Sequence, residues 1–394
     1  MPSSPDLSAD IIVAGAGAAG ATAAAVLGRQ GWRVLLLDER ATCPPVFKAE
    51  KVLRLELELL REWGLYEPLL PRSGRIGELL DASDGRVVRR TPVEQIGLSY
   101  SELVNTLRAN LPASIETRLG RVQSIDSDGG TTHLHLADGE ELTARLVVVA
   151  CGLCEPLLAS LGLQRRVIQK EQCVVVGFNI VPASSSAFSF DTVTYYPTDP
   201  ASRIDYLTLF RFRDVMRANI FTFLSADGPW IREFVQQPGS MLERAFPGLA
   251  RVTGEYRVNG KVETGRVDLY RMENFGAMPD GVVVIGDAFQ TACPSTGLGL
   301  RKAFTDVAVL AQYVPQWMST PGMGAEKIRN FYDHPRKLQM DAYALKNSFH
   351  HRHLACDTSL PWRLRRALVH LKWRIPVPTF LPEAARRLAR LIIR

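Results

Sequence analysis

Gly15-Ala16-Gly17-Ala18-Ala19-Gly20 follows directly on the apolar run Asp10–Ala14 and leads into the alanine-rich stretch Ala21–Gln30. Trp32–Leu37 is a second apolar run, and it ends at Asp38-Glu39. Strand, G-x-G-x-x-G, helix, strand and acid therefore follow one another in the order that a dinucleotide-binding βαβ unit requires. Gly15 allows the tight turn out of the strand, Gly17 lets backbone approach a pyrophosphate at the positive end of the helix, and Gly20 lets helix and strand pack closely. Asp38 stands where a carboxylate accepts from both hydroxyls of an adenosine ribose; an acid there favours an unphosphorylated ribose, hence FAD or NAD. The candidate cofactor-binding residues of this stretch are Gly15, Gly17, Ala18, Ala19, Gly20, Asp38 and Glu39.

The same glycines answer a competing reading. Ile11–Gly28 carries no charge and is long enough to suggest a membrane span, but Asp6 and Asp10 precede it instead of basic residues. With 394 residues, 46% hydrophobic and 22% charged, the chain is expected to be globular with two or three structural units. Six cysteines in so long a chain do not make a disulfide framework, and nothing resembles a secretory signal, so a reduced, cytoplasmic protein is expected. The net charge of +6 is unevenly placed: residues 361–394 hold nine Lys/Arg and one acid, Glu383, a net of +8, which leaves −2 for residues 1–360. A near-neutral body argues against a general electrostatic grip on nucleic acid.

A second glycine-rich segment, Gly281–Asp306, decides between the two dinucleotides. Val282–Ile285 reads as a buried strand, Gly286-Asp287 closes it, and Pro294, Gly297 and Gly299 lead into a helix to about Val314. With these motifs the chain resembles the single-component FAD-dependent aromatic hydroxylases, related to para-hydroxybenzoate hydroxylase and the ubiquinone-biosynthesis hydroxylases. The resemblance implies that Asp287 of the Gly286-Asp287 pair bonds the ribityl chain of FAD, that Pro294 lies beside the isoalloxazine, and that the G-x-G of Gly297, Leu298 and Gly299 faces its pyrimidine edge. Helix-start N–H groups suit that edge because reduced flavin is anionic there. In Phe47–Leu65 the resemblance places a basic residue on the FAD pyrophosphate, Lys48 with Lys51 as the alternative.

The implied fold is α/β: a Rossmann-like FAD-binding domain with an inserted, mostly antiparallel β-sheet substrate domain and a helical C-terminus. The expected division is 1–72, 98–165 and 272–315 for the FAD domain, 73–97 and 166–271 for the substrate domain, and 316–394 for the C-terminal region with its basic tail. Gln169–Pro182, Asp191–Tyr196, Ile204–Phe212, Arg217–Ser225 and Arg257–Glu263 read as strands, and Arg232–Ala245 as a helix. Arg121–Ala150 reads as a hairpin and a return strand. A substrate has to lie between the sheet and the flavin, and Tyr196, Tyr206, Phe210 and Arg211 are the candidates to touch it.

Several positions depart from the family pattern. Gln290 stands where His is common and Arg301 where Asn is common; neither is read as catalytic. Cys151-Gly152 replaces an Asp-Gly pair tied to NAD(P)H and the FAD pyrophosphate, which moves the chain toward the geranylgeranyl-reductase and halogenase relatives. Cys151-x-x-Cys154 is read as small residues packed at a strand end, and His350-His351-x-His353 as a solvated helix face; no metal site is expected. W-x-W-x-I-P, the halogenase motif, is missing from its place.

The expectation is an FAD enzyme reduced transiently by NADH or NADPH, using O2 to hydroxylate or epoxidise a hydrophobic aromatic or isoprenoid-bearing secondary metabolite. The alternative is an FAD-dependent reductase of isoprenoid C=C bonds. No side chain is assigned the chemistry, because the cofactor carries it. Glu383–Arg394 is amphipathic, with Leu388, Leu391 and Ile392 on one face and Arg386, Arg387, Arg390 and Arg394 on the other. It reads either as a peripheral membrane contact or as a helix packed on protein.

Overall fold

A computed structural model describes residues 7–374, apart from 129, 185–186, 214 and 275–277. Its first sheet has five parallel strands in the order Val282–Val284, Leu146–Val149, Ile11–Ala14, Val34–Asp38 and Glu116–Leu119. The first four are continuous apolar runs and are buried on both faces, as parallel strands covered by helices must be. The helices Ala18–Arg29 and Gly299–Met318 pack against each other over this sheet. The run Ile11–Gly28 is thus strand, turn and helix, and no helix among the described residues is long and apolar enough to cross a membrane.

The second sheet has eight strands, in the order Tyr256–Glu273, Gln164–Pro182, Val215–Thr222, Ile204–Phe212, Thr192–Tyr195, Gly74–Ser83, Arg86–Ser99 and Ala49–Val52. All neighbours are antiparallel except Thr192–Tyr195 with Gly74–Ser83. Ala49–Val52 belongs to this sheet although the sequence division put it with the first domain. One face carries Val176, Phe178, Ile180, Leu207, Leu209, Ala218 and Ile220, which bury against helices between Pro229 and Thr253. A small sheet, Val122–Ser127, Thr132–Leu136 and Glu141–Ala144, follows the expected hairpin.

Two helices differ from expectation for reasons that proline supplies. Arg232–Ala245 is two helices, Pro229–Gln236 and Pro238–Ala245, because Pro238 forces Gln237 out of the helical region, to φ −133° and ψ 59°. The helix from Gly299 runs past Val314 to Met318 despite Pro315, whose missing N–H leaves the Ala311 carbonyl free; the Gln30 side-chain amide donates to that oxygen at 3.0 Å.

The C-terminal part is helical, with Ala325–Tyr332, Pro335–Cys356 and Leu360–Arg374. The histidine cluster is solvated only in part: His353 is exposed, while His350 and His351 are half-buried. His351 Nδ1 lies 2.7 Å from the buried Asp205 carboxylate, His353 lies 3.2 Å from Asp357, and His350 and His353 both pack on Trp362. No group of three potential metal ligands occurs among the described residues. The amphipathic segment Glu383–Arg394 lies outside the described residues.

Candidate functional site

A cleft of about 250 Å³ opens where the parallel strands end, at Gly15, Asp38, Ala150 and Cys151. Gly15 takes φ +103°, and a Cβ there would sit 2.7 Å from the Ala150 carbonyl oxygen. A Cβ on Gly20 would come within 1.8 Å of the Gly15 oxygen, so this glycine sets the spacing of helix and strand. Gly17 is different: its Cβ would meet only the Tyr100 hydroxyl, at 3.1 Å, on the open side. The Ala18–Arg29 helix begins without a side-chain cap, so its first N–H groups face the cleft, with Ala18 N–H donating to Tyr100 at 3.2 Å.

Asp38 organises the ribose end. Its Oδ2 accepts from Ala16 N–H at 2.7 Å and lies 3.1 Å from the Arg108 guanidinium, and its Oδ1 accepts from Arg40 N–H at 3.0 Å. Arg108 in turn donates to the carbonyls of Ala16 at 2.7 Å and Arg40 at 2.8 Å, clamping the two turns together. Asp38→Ala is expected to weaken FAD binding about ten- to hundredfold, the worth of charge-assisted hydrogen bonds of about 1.5–3 kcal/mol. Titration of the flavin-free protein with FAD, followed by flavin fluorescence, checks this. Glu39 is exposed and does not line the cleft.

Lys48 lines the cleft with its Nζ 3.1 Å from Glu50 and 4.4 Å from the Tyr100 ring centre. Surrounding protein opposes its charge, but Glu50 and then Asp287 outweigh that and hold the ammonium above the usual lysine range. Although paired with Glu50, its side chain remains 56% exposed and within reach of an anion in the cleft.

Asp287, Gly299, Leu300 and Ala303 form the other wall. The turn before Asp287 is held from behind by buried charge. Gly286 N–H donates to Asp306 Oδ2 at 2.8 Å, and Asp306 also binds Lys302 at 3.2 Å and Lys337 at 2.8 Å. Asp341 completes the square, 3.4 Å from Lys302 and 3.1 Å from Lys337. Pro294 opens a short turn to Thr296, Gly297 follows at φ +65°, and the helix from Gly299 starts with Leu298 in place of a side-chain cap. A Cβ on Gly297 or Gly299 would meet nothing within 4 Å. Gln290 and Arg301 are structural: the Gln290 amide donates to the Asp341 carbonyl at 2.9 Å, and Arg301 donates to the buried Glu56 at 3.1 Å.

FAD fits this donor set. Two uncapped helix starts face the cleft, a carboxylate stands at the ribose end, and open space lies over Gly299. Cys151 lines the cleft as a neutral thiol, pushed up to about 12 by burial and by Cys154, and both cysteines are free.

The remaining face of the eight-stranded sheet lies next to this cleft. Register places Asp81, Thr194, Thr208, Asn219 and Gly177 side by side across five strands. Tyr206 and Phe221 form the next row, with Tyr196 packed 6.0 Å from Tyr206, and Phe210 with Arg217 forms a third. The Tyr206 hydroxyl donates to the Ser295 carbonyl at 2.6 Å, which ties this face to the turn after Pro294. Burial and Asp205 push the Tyr206 phenol well up, so it stays a donor. Tyr196, Tyr206 and Phe210 therefore share one face. Arg211 does not: strand alternation turns it away, and it donates to the Phe190 carbonyl at 3.2 Å and sits 3.5 Å from Asp191. Asn219, Arg217 and Asp81, which the sequence reading did not name, are on the face instead.

A family model described as an FAD binding domain matches residues 8–341. The kynurenine 3-monooxygenase of Salinispora arenicola is 26% identical over 337 residues, covering 76% of this chain and 71% of the relative. The digeranylgeranylglycerophospholipid reductase of Methanosarcina acetivorans is 22% identical over 348 residues, covering 82% and 79%. Among solved structures, p-nitrophenol 4-monooxygenase of Pseudomonas putida DLL-E4 superposes with a TM-score of 0.71 at 19% identity, over 90% of this chain and 91% of that one, a likeness of fold. Matched along most of its length, the chain belongs to the FAD-binding-domain family and is a flavoprotein oxidoreductase of the FAD-dependent monooxygenase kind.

Proposed function

We propose that the protein is an NAD(P)H-reduced monooxygenase that inserts one atom of O2 into a small aromatic substrate lying between the large sheet and the cofactor cleft. The observation that carries this reading is the register of that sheet, which sets aromatic and polar side chains against the turn Pro294–Thr296 through the Tyr206–Ser295 bond. FAD, when bound, supplies the redox chemistry and the activation of oxygen. The chain's own groups bind, orient and exclude water. The uncapped N–H groups at the start of the Gly299–Met318 helix would serve as donors to negative charge on the bound cofactor, without a titrating side chain. Tyr206 joins the flavin-side turn to the sheet, so the gap between them is fixed, and the buried row around Phe210 keeps water from the reacting carbon. The two aromatic-substrate enzymes above support an aromatic ring over an isoprenoid chain, as does the polar row, which a long apolar chain would not match.

A second reading is a flavin-dependent C=C reductase, favoured by Cys151 at a place where the family carries an acid and by the Methanosarcina acetivorans relative. Simultaneous recording of NADPH oxidation and O2 uptake separates the two. A screen of phenols, anilines and isoprenoids is expected to return an aromatic compound that stimulates both signals together. NADPH oxidation stimulated by an isoprenoid with no O2 uptake would establish the reductase instead.

A further inference from the structure

The last described helix, Leu360–Arg374, has two different faces. One lies on the body of the protein: Trp362 packs on the rings of His350 and His353, at 5.3 and 5.1 Å between centroids, Arg366 donates to the Leu354 carbonyl at 3.0 Å, and Val369 lines a small cavity with Leu354 and Ala355. The opposite face carries Leu360, Leu364 and Leu368, spaced by four residues and therefore in one row along the helix. These leucines are 65%, 56% and 54% exposed, and Ala367 beside them is exposed as well. Single exposed leucines are ordinary, but three on consecutive turns make an apolar stripe that the described residues leave uncovered.

The stripe is bordered by cations. Arg363 and Arg365 lie one residue before and after Leu364, about 100° round the helix on either side, and both are exposed. No acid within the helix balances them: the preceding one in the chain, Asp357, is held by His353 at 3.2 Å, and the next is Glu383.

Charge decides what such a face accepts. A second copy set against the same row would bring Arg363 and Arg365 against their own counterparts, with no carboxylate on the helix to pair them. The chain's own segment Glu383–Arg394 offers leucines but also Arg386, Arg387, Arg390 and Arg394 against one acid, so it repels the same border. Nucleic acid supplies phosphates but no apolar phase for the leucines. A bilayer containing anionic lipid matches both parts at once, since acyl chains take the leucines while the guanidinium groups reach back along their aliphatic stems to headgroup phosphates.

Independently of the reaction catalysed, we propose that the outer face of the Leu360–Arg374 helix is a docking surface for an anionic bilayer, with Leu360, Leu364 and Leu368 inserted at the interface and Arg363 and Arg365 on the lipid phosphates.

The test is co-sedimentation of the full-length, FAD-loaded protein with vesicles of phosphatidylcholine alone or with one third phosphatidylglycerol. The protein is expected to sediment with the anionic vesicles, to stay in solution with the neutral ones, and to be released as salt rises, because exposed charges are screened. Arg363→Gln combined with Arg365→Gln should weaken partitioning about thirtyfold, and lysine at both positions should retain it. Leu364→Gln should weaken it about tenfold, with flavin content and unfolding midpoint unchanged, because the outer face touches neither cofactor nor core. Equal binding to both kinds of vesicle, or to neither, overturns the proposal. So does anionic binding that these substitutions leave intact, which would assign it to residues beyond the helix. Two measurements without lipid cover the rival occupants. A dimer in sedimentation velocity that Leu364→Gln dissociates would give the face to a second copy, and hydrogen-exchange protection of Glu383–Arg394 that the same variant removes would give it to the chain's own end; either result overturns the bilayer assignment.

Discussion

Asp306→Ala should destabilise the protein by about 3–5 kcal/mol and yield protein that purifies without flavin colour. Asp306 is 1% exposed and serves three donors at once: the Gly286 N–H, Lys302 and Lys337. Lys302 and Asp306 keep opposite charges, and each is held there by the other: burial opposes both, and the attraction moves the lysine up and the aspartate down. Without the carboxylate, two ammonium groups share the single charge of Asp341, and the Gly286 N–H loses its acceptor. The Gly286-Asp287 turn then keeps only the Lys302 bond to the Gly286 carbonyl, at 3.3 Å, from this buried cluster, which couples the stability loss to the cofactor. Asp306→Asn separates the effects, since an amide oxygen still accepts from Gly286 while the charge is gone. Thermal unfolding and the ratio of flavin to protein absorbance measure both; an Asp306→Ala protein with unchanged midpoint and full flavin content would remove this role.

Gly20→Ala should abolish cofactor retention through a single methyl group. Its Cβ would lie 1.8 Å from the Gly15 carbonyl oxygen and 3.2 Å from the Ala150 side chain. Gly15 is itself fixed, by its N–H bond to the Leu37 carbonyl at 2.8 Å and by the close Ala150 backbone, so the helix must move off the strand. Overpacking of this kind costs about 1–3 kcal/mol or more, and the helix N–H groups leave the pyrophosphate position as they shift. Gly17→Ala gives the contrast. Its only near neighbour is the Tyr100 hydroxyl oxygen, the far end of a side chain that need give by only a few tenths of an ångström, so that variant should fold normally and lose affinity for FAD only. Equal unfolding midpoints for wild type and Gly20→Ala, with equal FAD affinity, would show that the close approach is not needed.

The cofactor half of the molecule was legible in the sequence because its signals are local. Gly15, Gly17, Gly20 and Asp38 lie in one βαβ stretch, and Gly286, Asp287 and Gly299 in another. Their partners were not legible. Arg108 reaches Asp38 from a helix 70 positions along the chain, and nothing in the local pattern of Tyr100–Ala109 marks it. The substrate face needed both strand parity and register. A list of aromatic and basic residues on Ile204–Phe212 includes Phe210 and Arg211 equally, yet alternation sends them to opposite sides. Lys51 is only the alternative to Lys48 for the pyrophosphate in the sequence; the sheet curls so that an edge strand brings it to Thr208 on a central one. His351 was taken for a solvated residue because its partner, Asp205, is 146 positions away. The helix break at Gln237-Pro238 was within reach of the sequence, since proline's effect on its predecessor is local.

The most direct test of the account is turnover under isotopically labelled O2 with the aromatic compound that stimulates NADPH oxidation. Monooxygenation predicts one labelled oxygen atom in each product molecule, with the other leaving as water. A product that carries no label, or a substrate reduced at a C=C bond in its place, would contradict the account.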